Sequence, residues 1–101
     1  QPCKKEMPSL QKLAQNYKKI KIYPVNMEKP NKLRARDFYN SVGVNSLDIY
    51  FDPEFNLVKI FKIRGMPTSI LIDKNGMEFA RVVGEIDFNN KAFINFLKKY
   101  F

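Results

Sequence analysis

Apolar side chains recur at three- and four-residue steps between residue 3 and about residue 18, a spacing that predicts an amphipathic helix. The stripe consists of Met7, Leu10, Leu13, Ala14 and Tyr17. Lysine and glutamine side chains occupy the opposite side of this helix. Pro8 lies inside the pattern, where it would remove one helical hydrogen bond. Two interpretations are therefore open: a helix that is kinked after its first turn, or a helix that begins at Pro8.

Alternating side chains over Ile20 to Asn26 indicate a strand with both faces partly covered, as in a parallel sheet. A polar stretch with Pro30 leads into a second helix, which is predicted to end at Gly43 because glycine is common just past a helix end. The apolar positions of this helix are Leu33, Ala35, Phe38, Tyr39 and Val42. Leu47 to Phe51 is predicted to be a short strand.

Asp52 and Pro53 predict the start of a third, short helix, with the aspartate as its cap and the proline as its first residue. Its apolar positions are Phe55, Leu57, Val58, Ile60 and Phe61. Ser69 to Ile72 is a strongly apolar strand. The Asp73–Gly76 sequence contains Asn-Gly, a strong hairpin signal, so Met77 to Val83 is predicted to return as the partner strand.

A final helix is predicted after Asp87–Asn90, a stretch that offers several capping residues. Its buried stripe consists of Ala92, Phe93, Phe96, Leu97 and Tyr100. Helices and strands therefore alternate along the chain before a hairpin and a last helix. This order is typical of an α/β fold with a mixed sheet and helices on both faces.

The composition is that of one packed domain, since 45% of the 101 residues are apolar and 14% are aromatic. The net charge of +8 comes from lysines spread along the chain in short pairs, which indicates a solvated basic surface. No nucleic-acid-binding motif accompanies the charge, so no nucleic-acid partner is predicted. A basic face can still favour acidic partners or anionic headgroups. The absence of histidine argues against zinc and copper sites and against a cysteine–histidine protease.

The only cysteine, Cys3, follows Pro2 at the predicted start of the first helix. Proline suits a first helical turn, and a sulfur placed there is exposed to unpaired N–H groups and the positive end of the helix dipole. Both favour the thiolate, so this position suits a reactive thiol. The alternative is an inert buried cysteine that packs as a small apolar residue.

Two motifs carry a resemblance to a known family. The stretch Gln1–Pro8 resembles the end of the Cys-x-Pro-Cys-[Lys/Arg]-x-Glu-x-Pro motif of the bacterial TlpA/ResA branch of the thioredoxin superfamily. Gly65–Ser69, with the strand after it, resembles that family's cis-proline turn, and Val83-Gly84-Glu85 resembles the end of its last hairpin. The pair of motifs at this separation is more specific than either motif alone.

The resemblance implies a thioredoxin-like fold with the helix–strand insertion of the TlpA branch at residues 31 to 51. It also implies one domain over residues 1–101 whose first motif cysteine would come immediately before Gln1 and whose central strand would precede that cysteine. The strand at 20–26 and the strand at 69–72 are therefore expected to be separated by a strand from upstream of residue 1, and not to be hydrogen-bonded to each other. A signal or membrane anchor could also lie upstream.

The resemblance assigns roles to individual residues. Cys3 would be the resolving thiol of the redox pair, and Glu6 would tune proton transfer beside it. The bond before Pro67 would be cis, and Pro2, Met66 and Thr68 would contact the substrate. The plainer alternatives are that Glu6 is a solvated helix residue, that the Pro67 turn is an ordinary trans turn, and that Met66 fills the core.

The implied activity is that of a thiol–disulfide oxidoreductase that uses no cofactor or metal and reduces disulfides in exported proteins such as apocytochrome c. The implied location is the bacterial periplasm or the outer face of the inner membrane, with protein thiols or disulfides as substrates and a separate upstream reductant. The chain by itself is expected to be inactive, since one thiol cannot complete a dithiol cycle. The alternative is a redox-inactive, thioredoxin-like protein-binding module. The residue before Gln1 distinguishes them, because a cysteine there supports the enzyme.

Overall fold

The computed structural model describes residues 2 to 100, with side chains from residue 6 onward. Its elements, in chain order, are α1 (Pro2–Asn16), β1 (Val25–Asn26), α2 (Lys32–Ser41), β2 (Tyr50–Phe51), α3 (Asn56–Phe61), β3 (Thr68–Ile72), β4 (Glu78–Val83) and α4 (Lys91–Leu97). A single 3₁₀ turn, Lys98–Tyr100, extends α4. The predicted alternation of helices and strands followed by a hairpin and a helix is therefore observed.

Helix α1 connects the two parts of the core. Met7 packs in one buried cluster with Tyr39, Val44 and Leu47. Leu13 packs in a second cluster with Phe88 and Leu97, and Leu10 contacts both clusters. The predicted apolar stripe of this helix thus faces the interior. Pro8 lies inside α1, so the interpretation that the helix begins at Pro8 is wrong.

Two short ladders form the strands. β1 pairs in parallel with β2, and β3 pairs with β4 as an antiparallel hairpin from Thr68↔Val83 to Ile72↔Glu78. Among the described residues, no backbone hydrogen bond joins the segment Ile20–Asn26 to β3. This agrees with the expectation that the two are not direct neighbours. The strand expected between them stays a prediction.

The ladder of β1 is shorter than the strand predicted for Ile20–Asn26, and β2 is shorter than the strand predicted for Leu47–Phe51. The cause at Ile20 is local, because its N–H donates to the carbonyl of Tyr17 at the end of α1, 3.0 Å away. Leu47 instead packs in the first buried cluster, with Ile22 against it. Leu47 and Ile22 therefore pack in the core without belonging to a hydrogen-bonded β-ladder.

Helix α3 begins at Asn56, three residues later than the predicted start at Pro53. Asp52 still caps the helix, but through a turn: its carboxylate accepts from the N–H groups of Asn56 at 3.0 Å and Leu57 at 2.8 Å. Phe55 closes this turn in the left-handed region, at φ 58° and ψ 33°. Asp52 was therefore predicted correctly as the capping residue, but the predicted number of residues between it and the start of the helix was wrong.

The other predicted helix and turn signals are confirmed. Gly43, at φ +78°, follows the end of α2 as predicted. The cap of that helix is Asn31, which no sequence prediction named and which accepts from the N–H of Arg34 at 3.0 Å. In the hairpin turn the Asp73 carboxylate accepts from the N–H groups of Asn75 and Met77. The Asn90 side chain caps α4 by accepting from the N–H groups of Ala92 and Phe93.

Candidate functional site

Glu6 is a buried carboxyl on the first half of α1, with 8% of its surface exposed. Its Oε2 atom accepts a hydrogen bond of 2.6 Å from the backbone N–H of Ile86, which lies after the end of β4. Burial raises the pKa of this carboxyl above its ordinary value of 4.5, and the nearby Glu85 carboxylate raises it further, while the Ile86 hydrogen bond opposes both. Glu6 is therefore not a solvated helix residue, and it holds its proton to a higher pH than a free glutamate.

Ser9, on the next turn of α1, connects the same helix to the segment that follows Ile86. Its Oγ donates to the Glu6 carbonyl at 2.8 Å and accepts from the N–H of Phe88 at 3.1 Å. The Ser9 carbonyl accepts from the Asn89 side chain at 3.1 Å. These contacts fix the position of the 86–89 segment against α1. Because they join residues about 80 positions apart, no local sequence pattern identified Ser9 as part of the site.

The turn before β3 has the predicted geometry. The Met66–Pro67 peptide bond is cis, which confirms that expectation. Thr68 is partly buried, donates from Oγ1 to the Gly65 carbonyl, and pairs with Val83 in the hairpin. Met66 is 54% exposed, so its side chain does not fill the core and is available at the surface.

A three-residue segment after β4 links this turn to α1. The N–H of Gly84 donates to the carbonyl of Pro67 at 2.8 Å, and the N–H of Ile86, two residues later, donates to Glu6. Gly84 lies at φ +96°, a backbone region that favours glycine. Glu6 and Pro67, which are distant in the sequence, are thus brought to one side of the domain by residues 84–86. Sequence reasoning noted Val83-Gly84-Glu85 only as a hairpin end, and the role of Ile86 had no sequence signal.

A pocket of about 240 Å³ lies beside Glu6 and Ser9. Its other lining residues are Glu85, Ile86 and Asp87. Three of the five lining side chains are carboxylic acids, in a chain whose net charge is +8. Within the described part of the chain, no group of three His, Cys, Asp or Glu side chains is arranged to hold a metal ion. Of these lining groups, Glu6 is the one whose pKa is raised by burial.

The first part of the N-terminal motif, from Pro2 to Lys5, is described in its backbone alone. Pro2 and Cys3 lie in the first turn of α1, as predicted, and their side chains are outside the described part of the structure, as is Gln1 altogether. The helical backbone puts Cys3 three residues before Glu6, and positions three apart are neighbours on a helix surface. The backbone of α1 therefore places the Cys3 position about one helical turn before Glu6.

A family model described as a thioredoxin-like domain matches residues 1–100. The chain belongs to the thioredoxin-like domain family. The fold expectation is therefore confirmed, and the match to the thioredoxin-like family extends from the first motif through the second over nearly the whole chain. The observed mixture of helices and strands is consistent with this membership.

This thioredoxin-like chain is also similar to several individual proteins. It is 36% identical over 77 residues to the thiol-disulfide oxidoreductase ResA of Halalkalibacterium halodurans, covering 74% of this chain and 43% of that protein. ResA of Geobacillus kaustophilus is 35% identical with the same coverage. The chain thus spans less than half the length of these relatives.

Two solved structures share the fold. The crystal structure of a protein assigned as the thiol:disulfide interchange protein DsbE of Chlorobium tepidum matches with a TM-score of 0.81 at 26% identity, over 98% of this chain and 70% of that one. StoA of Bacillus subtilis matches with a TM-score of 0.71 at 25% identity, over 98% of this chain and 72% of that one. Within the described residues, no helix is both long enough and apolar enough to cross a membrane.

Proposed function

We propose that this thioredoxin-like domain is the C-terminal part of a thiol–disulfide oxidoreductase of the TlpA/ResA type. The observation that carries the proposal is the connection made by residues 84–86, which hydrogen-bond to Pro67 at one end and to Glu6 at the other. This connection holds an ionisable carboxyl one helical turn from Cys3 and on the same side of the domain as the Pro67 turn. The similarity to ResA, DsbE and StoA supports the same class of activity.

In the proposed reaction, a cysteine immediately before Gln1 attacks a disulfide of the substrate protein as a thiolate. One substrate thiolate leaves, and a mixed disulfide joins the two proteins. The Cys3 thiolate then attacks the enzyme sulfur of that bond, so the second substrate thiolate leaves and an enzyme disulfide forms. Two electrons pass to the substrate, and a separate upstream reductant returns the enzyme disulfide to two thiols.

Glu6 takes the role of the proton acceptor and donor for the Cys3 thiol. A resolving cysteine must lose its proton before it attacks, and a carboxyl one turn away can receive it. Burial and Glu85 both strengthen the hold of Glu6 on a proton, which brings its pKa closer to that of a thiol. A solvated carboxylate of ordinary pKa would be a poorer partner for this transfer.

The substrate class proposed is an exported protein with a reducible disulfide, such as apocytochrome c. An extended segment of that protein would lie along Met66 and Thr68, with Pro2 and Pro67 on either side of the reacting sulfurs. The exposed Met66 supports this because a flexible apolar side chain at the surface can adapt to different sequences. The proposed location is the bacterial periplasm or the outer face of the inner membrane, with a membrane anchor preceding the domain.

Insulin reduction by dithiothreitol tests the proposal. The chain is compared with a version extended through its native upstream residues, and with Cys3→Ser in that extended version. We expect turnover only in the extended wild type, and a trapped mixed disulfide with Cys3→Ser because the resolving thiol is absent. Equal, substantial activity in the short and extended chains would contradict the assignment of an upstream nucleophile.

The second candidate is a redox-inactive binding module that uses the groove near Pro67. The exposed Met66 beside that turn supports the binding module and the enzyme equally. The native residue before Gln1 separates the two, because a serine or other non-thiol residue there leaves Cys3 without a partner. In that case the extended chain would show no turnover and would still bind its partner.

A further inference from the structure

Helix α3 exposes large apolar side chains on the side that faces away from the domain. Ile60 is 70% exposed and Phe55, which directly precedes the helix, is 47% exposed. Leu57, Val58 and Phe61 are partly buried on the other side. Because α3 has only six residues, Ile60 and the neighbouring Phe55 make up a considerable part of the exposed surface of this segment. We call the exposed residues Phe55, Lys59, Ile60, Lys62 and Arg64, in and beside this helix, the α3 face.

The backbone makes this exposure unusual. Phe55 at φ 58° and Lys62 at φ 54° bracket α3, and both lie in the left-handed region that favours glycine. They are the two positive-φ residues other than glycine in the described chain. Phe55 holds this strained conformation although its side chain is only about half-buried.

The remaining side chains of the α3 face are cationic. Lys59, Lys62 and Arg64 are exposed, and the structure gives none of them an ion pair, since the salt bridge found among the described residues joins Arg81 and Glu78. Glu54 is the exposed acid at the start of this segment. The face therefore combines two apolar tips with three positive charges, a mixture that attracts negatively charged surfaces.

The α3 face is held firmly and is outward-facing. Asp52 caps the beginning of the helix with two hydrogen bonds, and Arg81 donates from Nη1 to the carbonyl of Phe61 at its end, 2.8 Å away. Neither the pocket at Glu6 nor a second pocket of about 290 Å³ beside Ile22 includes a residue of this face. A helical surface with charges around apolar tips matches a fluid layer of headgroups, which has no fixed shape to complement.

We propose that the α3 face docks this domain on an anionic lipid bilayer. Phe55 and Ile60 enter the headgroup boundary, and Lys59, Lys62 and Arg64 contact lipid phosphates. The charge of the face complements an anionic surface, and its apolar tips need a partner that accepts them without a preformed groove. This docking needs neither Cys3 nor Glu6, so it does not depend on the redox function proposed above.

Co-sedimentation of the full chain with vesicles tests the proposal. With phosphatidylglycerol in phosphatidylcholine we expect binding, and with phosphatidylcholine alone much less. Phe55→Gly combined with Ile60→Ala, or Lys59→Gln combined with Lys62→Gly, should each weaken binding on the order of tenfold. Glycine suits a positive φ, so Phe55→Gly and Lys62→Gly should not unfold the chain. The matched control Lys74→Gln with Lys91→Gln removes two exposed charges elsewhere and should bind like the wild type.

Equal weakening in the control and in the α3 variants would overturn the proposal, because it would mean that net charge alone drives binding. Absence of wild-type binding would overturn it too, as expected if the occupant is an acidic protein.

A tryptophan reporter gives a second, independent readout. The chain contains no tryptophan, so Ile60→Trp introduces a single fluorophore on the α3 face. Its emission should shift to the blue with anionic vesicles, because the indole leaves water. Leu33→Trp is the matched control, since Leu33 is 75% exposed on α2 between Lys32 and Arg34. A shift at residue 33 without a shift at residue 60 would contradict docking through α3.

Discussion

The Glu6 carboxylate and the backbone N–H of Ile86, 80 residues apart in the chain, form a hydrogen bond of 2.6 Å. This contact ties the helix that carries the only cysteine to the segment leaving the hairpin. It also stabilises the ionised form of a carboxyl whose burial favours the protonated form. Burial and the hydrogen bond therefore act in opposite directions on the pKa of Glu6. The contact between α1 and the segment after β4 thus contains an ionisable group.

Glu6→Gln should change the pH dependence of stability. Because the folded state raises the pKa of Glu6, its contribution to folding is fully present below about pH 4 and is lost as the pH rises through the raised pKa. A glutamine side chain does not ionise, so the variant should become more stable relative to wild type as the pH rises from about 4 to about 8. Urea unfolding across this range measures the difference. A difference that is constant with pH would show that Glu6 titrates alike in the folded and unfolded chains.

Ser9→Ala should destabilise the domain by about 1–2 kcal/mol, because the N–H of Phe88 loses its acceptor next to a buried ring. Ser41→Ala is the matched control: the Ser41 hydroxyl is exposed and donates only to the carbonyl of Phe38 in its own helix. That change should stay within about 0.5 kcal/mol. Thermal unfolding measures the stability of both variants. A similar loss of stability in the two would mean that the Ser9 contact contributes no more than an ordinary helix hydroxyl.

Gln11→Ala tests how α1 holds the turn after α2. The Gln11 Oε1 atom accepts from the N–H groups of Asn45 at 2.6 Å and Ser46 at 2.9 Å, and its Nε2 donates to the carbonyl of Gly43 at 2.9 Å. Losing these bonds should cost about 1–2 kcal/mol in denaturant unfolding. Gln15→Ala, one turn later on the exposed side of α1, should be close to neutral. If Gln15→Ala costs as much, the effect belongs to the helix and not to the turn.

Several interactions between residues close together in the sequence could be predicted, and those between distant residues could not. Asn90 capping α4 and Asp73 closing the hairpin turn act within four residues, so their residue types predicted their roles. Asp52 was assigned correctly as a cap, but a left-handed Phe55 delays the helix, and no propensity favours a phenylalanine there.

The candidate site depended on longer-range contacts. Glu6 and Pro67 were identified through motifs, while Ser9 and Ile86 were not, because the bonds between α1 and residues 86–89 form only when the tertiary structure brings them together. At Ile20 the reason is different, because a contact only three residues away shortens the predicted strand. Its alternating pattern predicted a strand, yet its N–H is taken by Tyr17.

Gly84→Ala should disturb the segment that joins Pro67 to Glu6. Gly84 lies at φ +96°, and a Cβ added there would meet no atom within 4 Å, so the cost would come from backbone strain and not from a clash. We expect a loss of about 1–3 kcal/mol in unfolding free energy. A shift in the backbone here would also lengthen the bond from Ile86 to Glu6, so the pKa of Glu6, followed by carboxyl-carbon NMR, should rise further.

Gly65→Ala is the control for this change, because Gly65 also has open space around its Cβ position but lacks a positive φ. Alanine there reduces the freedom of the unfolded chain, so the variant should be neutral or more stable by up to about 1 kcal/mol. Equal destabilisation at both glycines would mean that the conformation of Gly84 is not what holds the segment. A Glu6 pKa unchanged by a destabilising Gly84→Ala would mean that the Ile86 hydrogen bond is held by Ser9 and the residues after it.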